Sequence, residues 1–135
     1  MIRNKVDYKN LNAKQQEAYN FQKISSLLAD YGYITIKLSD DYNGADFLAQ
    51  DMLKGDILKV QLKSRLTIDK KYMEKNLYIT FKDEESWFII KHDTLVTKVS
   101  EIHSFMDTDS WKKKGCYHFP KINSKIMDLL INYKL

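Results

Sequence analysis

At 135 residues, with 44% hydrophobic and 13% aromatic content, the chain has the length and core material of one domain and too much apolar content for wholesale disorder. One Pro and four Gly exclude a collagen-like design, and a single cysteine excludes an intrachain disulfide or a thiolate metal cluster. Twenty-two Lys and Arg against eighteen Asp and Glu leave a net charge of +4, which favours polyanionic partners without requiring one.

No apolar run approaches the roughly 20 residues of a spanning helix, and the N-terminal residues lack the apolar middle of a secretory signal. The expectation is therefore a soluble cytoplasmic protein with no membrane partner, organised as a single domain over 1–135. In chain order, Asn12 is a good helix cap, with Gln15 placed to reach back to it. Ala18, Phe21, Ile24, Leu28 and Tyr31 then recur at helical spacing, which predicts a helix over 13–31 ended by Gly32. Tyr33–Leu38 reads as the first strand, and Ser39–Gly44 carries turn residues throughout.

A second strand is predicted over Ala45–Gln50, a turn over Asp51–Asp56 and a third strand over Ile57–Lys63. In the third, Leu58, Val60 and Leu62 face one way while Lys59, Gln61 and Lys63 face the other. Residues 66–76 read as a charged connection, followed by strands at Leu77–Lys82 and Trp87–Lys91. His92-Asp93-Thr94 caps a helix expected to run to about Met106; Asp107–Gly115 is a charged loop. Ile122, Ile126, Leu129, Leu130 and Tyr133 trace a last helix. This order predicts an α/β fold: a mixed sheet of about five strands flanked by helices.

The pattern brings chemistry together at one point. Asp46 opens the second strand, and Gln61 and Lys63 share a face of the third; neighbouring strands lie about 4.8 Å apart, so the three side chains can converge. A carboxylate, an amide and an ammonium gathered on a sheet are costly to bury alone, and a divalent cation with a phosphate would satisfy them. Their oxygens are hard ligands suited to magnesium, and the ammonium can orient a water or neutralise developing charge on phosphorus. Glu17 stands four, seven and eleven residues before Phe21, Ile24 and Leu28. It reads either as an acid pointing inward from the helix or as a flank residue favoured by the positive helix end.

Gly44-Ala45-Asp46-Phe47-Leu48-Ala49, followed fifteen residues after the Asp by Gln61-Leu62-Lys63-Ser64-Arg65 at the end of an apolar strand, resembles the PD-(D/E)XK nuclease superfamily. The nearest flavours are the archaeal Holliday-junction resolvases and the Mrr-like restriction endonucleases, in which Gln replaces the usual second acid. The helix carrying Glu17 and ending in Tyr31-Gly32-Tyr33 is similar to the first helix of those resolvases, so the resemblance covers about residues 12–66. It implies a restriction-endonuclease-like αβββαβ core and phosphodiester hydrolysis assisted by Mg2+ or Mn2+. By the same resemblance Asp46 is the central metal ligand, Gln61 takes the second acidic position, Lys63 is the catalytic lysine and Glu17 an auxiliary acid. The Leu62 carbonyl completes the metal shell, and Ser64 and Arg65 touch phosphate. Gln61 is the main departure, because a neutral oxygen holds a divalent cation less tightly; Glu17 matters more in consequence, and metal binding should be poor if it points elsewhere.

Further basic residues cluster at Lys70-Lys71 and at Lys112, Lys113 and Lys114, the last beside Trp111, Tyr117 and His118. That loop is either a DNA contact or a solvated surface. His92, His103 and His118 fit no metal-ligand spacing and read as surface or capping residues. The expectation is a metal-dependent nuclease acting on nucleic acid, with DNA favoured. So small a core would need a homodimer or a partner subunit to grip a duplex. Two alternatives stand beside it: a nucleic-acid-binding module without cleavage, and a protein-interaction module such as an inhibitor or immunity protein on the same scaffold.

Overall fold

Asn12 starts the first helix as the sequence indicates. In the computed structural model, which describes residues 2–135, its Oδ1 accepts from the Gln15 N–H at 2.9 Å while Gln15 Oε1 accepts from the Asn12 N–H at 3.0 Å. The helix α1 (Ala13–Ala29) buries a stripe of Asn20, Ile24 and Leu28. It ends two residues before the expected boundary, and Ala18 and Tyr31 are exposed instead of joining the stripe. Gly32 then turns the chain with φ of +85° into β1.

Seven strands follow: β1 (Tyr33–Tyr42), β2 (Ala45–Asp51), β3 (Ile57–Lys63), β4 (Thr67–Asp69), β5 (Leu77–Asp83), β6 (Ser86–Lys91) and β7 (Cys116–His118). The main sheet has the order β1-β2-β3-β5-β6, with β3 and β5 parallel and the other neighbours antiparallel. The turn expected over Ser39–Gly44 contracts to Asn43-Gly44. Both residues have positive φ, 51° and 90°, which is the two-residue hairpin geometry whose twist matches its strands, so β1 continues to Tyr42. Gly44 has a second constraint: a Cβ there would lie 3.0 Å from both Leu77 Cδ2 and Tyr72 Cδ1.

Two layers cover the sheet. On one face α1 packs Ile24 and Leu28 against Phe47, Ala49, Val60 and Trp87. On the other, α2 (His92–Ser100) and α3 (Ser124–Leu130) enclose a core that includes Ile79, Phe81, Phe88, Ile90, Leu95 and Val99. The α/β class with a mixed five-stranded sheet flanked by helices is as expected. The crossover from β3 to its parallel neighbour β5, where the αβββαβ pattern places a helix, is carried by β4 and a 3-10 turn at Lys70–Tyr72. Leu66, Ile68 and Tyr72 are buried there, so the segment 66–76 is a packed element and not only a charged connection.

The C-terminal third departs furthest from the sequence expectation. α2 stops at Ser100 instead of running to Met106, and the supposed loop 107–115 contains a π-helical turn at Ser110–Lys114. Its cause is apolar: Phe105 and Trp111 are buried and meet edge-on at 5.1 Å, which pulls the chain inward between charged residues. β7 then pairs antiparallel with β4 in a small second sheet. The last helix is shorter than predicted, and a 3-10 turn at Ile131–Tyr133 returns the chain to β6, where the Leu135 N–H donates to the Trp87 carbonyl at 2.9 Å. Among the described residues no helix is long and apolar enough to cross a membrane.

His92 opens α2 fully buried, and its Nε2 accepts the Asp69 N–H at 3.1 Å. The bond needs that nitrogen unprotonated, and burial lowers the pKa below its ordinary 6.5 despite the pull of Asp93. The unfolded chain takes up this proton at higher pH than the folded one, so the stability from neutral His92 is complete above 6.5 and declines as pH falls toward the lowered folded value. Thermal melts on an acid series should show that decline, and His92→Gln should flatten it. Gly44→Val should lower stability by about 2 kcal/mol in urea titration, through strain at positive φ and overlap with Tyr72 and Leu77.

Candidate functional site

The antiparallel register of β2 and β3 builds the site. Phe47 pairs with Val60 and turns toward α1; the next positions outward along the two strands are Asp46 and Gln61. Asp46 is then fixed by a hydrogen bond: the Leu62 N–H donates to its Oδ2 at 2.8 Å. Lys63 ends β3 two residues beyond Gln61, on the same side of the strand. The structure thus brings Asp46, Gln61 and Lys63 together, with the Leu62 backbone between the last two.

These three side chains line two adjoining grooves. The first, about 400 Å³, runs between the end of β3 and the start of α1 and is also lined by Glu17, Asn20, Leu62 and Ser64. The second, about 580 Å³, lies under the β1–β2 hairpin and is also walled by Asp41, Asn43, Lys71, Tyr72 and Lys75. Glu17 is on the groove side of α1, but it is exposed on the wall facing Asp46 and does not share the buried stripe of Asn20, Ile24 and Leu28. Ser64 lies at the mouth of the first groove, and Arg65, also exposed, follows it outside.

Asp46 is half-buried, and removal from water raises its pKa above the ordinary 3.8. The Leu62 N–H opposes that shift, the negative charge of Glu17 adds to it, Lys63 opposes it and Asp41 adds to it. The net rise means that the surrounding protein under-compensates this carboxylate. Gln61 is 8% exposed, and its Nε2 sits 3.5 Å from the Leu62 carbonyl, a contact too long to count for much as a hydrogen bond. Among the described residues no group of three or more His, Cys, Asp or Glu side chains forms a metal cluster. The oxygen donors at hand are the half-buried Asp46 carboxylate, the Gln61 amide, the Leu62 carbonyl and the Glu17 carboxylate on the groove wall.

Lys112, Lys113 and Lys114 line neither groove. They are exposed on the π-helical turn, where Lys113 pairs with Asp109 at 3.7 Å, and Lys70 links that turn to the site region: its N–H donates to the Gly115 carbonyl at 2.7 Å and its ammonium lies 5.2 Å from the Trp111 ring. His118, read from sequence as a surface residue, is exposed, but β7 delivers it beside Thr67, whose Oγ1 is 3.0 Å from Nδ1. Its pKa is lowered, first by partial burial and then by Arg65 and Lys63, which locates it in the field of the site's basic residues. Tyr72, Asn43 and Lys75 also wall the second groove, unanticipated from the sequence. Only an aromatic residue among lysines marked the first, and no local pattern ties any of them to Asp46.

No family model matches the chain, and no curated protein matches it by sequence. Among solved structures it is similar to a bacterial homing endonuclease, with a TM-score of 0.50 and 13% identity over 91% of this chain and 86% of the other. It is also similar to Hjc, a Holliday junction resolvase of Archaeoglobus fulgidus, with a TM-score of 0.44 and 12% identity over 56% of this chain and 72% of the other. At 13% identity the likeness to the homing endonuclease is one of fold alone: an α/β arrangement with a mixed five-stranded sheet flanked by helices.

Proposed function

We propose that the protein is a metal-dependent nuclease that hydrolyses phosphodiester bonds in DNA. The observation that carries this reading is the meeting of Asp46, Gln61 and Lys63 at the junction of two open grooves, with Asp46 oriented by the Leu62 N–H at 2.8 Å. The donor chemistry fits a small hard cation. An under-compensated carboxylate gains most from a nearby positive charge, and rotation of the loosely held Gln61 amide presents Oε1 beside the Leu62 carbonyl. Asp46, Gln61 and the Leu62 carbonyl would hold Mg2+ or Mn2+, with Glu17 reaching it from the groove wall. Such an ion supplies charge neutralisation at the phosphodiester and acidifies water.

The chain's own groups supply the rest. Asp46 is held at one angle by a backbone donor and so needs no reorganisation on binding. Lys63 brings an ammonium to the same point, where it can donate to a non-bridging phosphate oxygen as charge builds there. In the hydrolysis, water oxygen bonds to phosphorus, one P–O ester bond breaks, and the proton that water loses ends on the departing oxygen. Ser64 and Arg65 follow where the strand leaves the site, and Lys71 and Lys75 stand along the second groove, giving phosphate contacts on either side. Lys112, Lys113 and Lys114 form a more distant basic edge that a longer duplex, or a duplex held by two copies or a partner subunit, would reach. The small donor set favours one competing reading, a DNA-binding module of the same fold that does not cleave.

The purified protein should nick plasmid DNA only with Mg2+ or Mn2+. Asp46→Asn and Lys63→Met should each reduce the rate by about 10²-fold or more. Equal residual rates in wild type and both variants would reject the enzymatic reading, and salt-sensitive DNA binding without nicking would leave the binding module. Because the Asp46 pKa is raised, protons compete with the cation at higher pH than at an ordinary carboxylate. Mn2+ affinity, read by paramagnetic broadening, should therefore weaken on acidification while pH is still above 3.8, and Asp46→Asn should remove that dependence.

A further inference from the structure

Lys63 has a neighbour outside the sequence motif. Its Nζ lies 5.6 Å from the centroid of the Tyr72 ring, and the Lys71 Nζ lies 5.2 Å from the same centroid. Tyr72 belongs to the 3-10 turn of the β3–β5 crossover and is only 3% exposed, yet it walls the second groove together with Asp46 and Gln61. An aromatic face attracts a nearby ammonium, and the attraction grows where water is excluded.

The ring is held from two sides, and its turn is capped. Gly44 lies so close that a Cβ would be 3.0 Å from Cδ1 and 3.3 Å from Cε1. The buried His92 ring stands edge-on at 5.5 Å and 86°, and is itself pinned by the Asp69 N–H. Asp69 caps the turn, accepting the Lys71 N–H on Oδ1 at 2.9 Å. Burial, with the charges of Asp69, Asp46 and Asp41, pushes the Tyr72 phenol well above its ordinary pKa, so the ring stays neutral across the working pH range. Lysine, by contrast, carries its charge on a flexible four-carbon stem with high rotamer entropy.

We propose that Tyr72 is a positioning residue for Lys63: its ring face holds the ammonium at the junction with Asp46 and Gln61, and Gly44 and His92 hold the ring. The proposal rests on the nuclease reading above, because it assigns Lys63 a defined place in that chemistry. Its signature is a loss in turnover, not in binding, since the groove's other phosphate contacts remain when the ring is removed.

The test compares Tyr72→Phe, which keeps the ring, with Tyr72→Leu, which removes it, in the full chain. The first readout needs neither metal nor activity. In the wild type, NMR should show NOEs between the Lys63 ε-methylene and the Tyr72 ring protons, with lysine methylene shifts displaced by the ring current. Tyr72→Phe should keep that displacement and Tyr72→Leu should abolish it, amide dispersion confirming that both are folded. The second readout is Mg2+-dependent plasmid nicking: Tyr72→Phe should stay within about threefold of wild type, and Tyr72→Leu should lose about tenfold in kcat with KM within about twofold. Absent wild-type NOEs, unaltered Lys63 shifts in the Leu variant, or equal damage by Phe and Leu would each overturn the proposal, the first without need of any variant. If Asp46→Asn abolishes nicking while Tyr72→Leu leaves kcat unchanged, the positioning role fails and the nuclease reading stands. If the NMR shifts behave as expected and no nicking occurs, the nuclease reading fails and the contact stands.

Discussion

The hydrogen bond from the Leu62 N–H to Asp46 Oδ2 is the constraint on which the site depends. It exists only because β2 and β3 pair in the register that sets Phe47 opposite Val60. A slip of one residue would turn Val60 away from α1 and send Gln61 and Lys63 into the apolar layer formed by Ile24, Leu28 and Phe47, at a cost no such core could absorb. The same apolar contacts that stabilise the sheet therefore fix which polar side chains emerge together at its end. Burial of Phe47 and Val60 beneath α1 and the emergence of Asp46, Gln61 and Lys63 at the ends of β2 and β3 are two outcomes of a single register.

The electrostatics follow from that placement. Asp46 stands between two further acids, Glu17 on the α1 wall and Asp41 on the hairpin, and is opposed by Lys63 and a backbone N–H. Under the proposed function, a cation would relieve that imbalance. Around it the basic residues Lys63, Lys71 and Lys75 are spread along the second groove. The three site residues are shared by both grooves.

Support for the site comes from parts of the chain distant from it in sequence. The crossover between β3 and β5 is β4 and a 3-10 turn, and it carries Tyr72 into the space that Gly44 leaves open. His92, at the first residue of α2, closes the turn from behind through the Asp69 N–H. The Gly preceding Ala45-Asp46 thus has two duties, the left-handed corner of the hairpin and the clearance for an aromatic ring beneath Lys63. β7 adds His118 to the same neighbourhood by pairing with β4.

Elements with local signals were legible before any tertiary contact was known. Asn12 with Gln15, the apolar alternation of Ile57–Lys63 and the turn residues around Gly44 each act over a few residues, and α1, β2 and β3 appear close to where those signals place them, as β5 and β6 do from their own apolar runs. The convergence of Asp46 with Gln61 and Lys63 was legible for the same reason, since strand periodicity and one short turn suffice to bring them side by side. The exposed position of Glu17, the ring of Tyr72 under Lys63 and the burial of Phe105 and Trp111 in a charged stretch were decided only by tertiary structure. Each depends on contacts between segments far apart in the chain, where burial of a few aromatic rings outweighs the local preference of the charged residues around them.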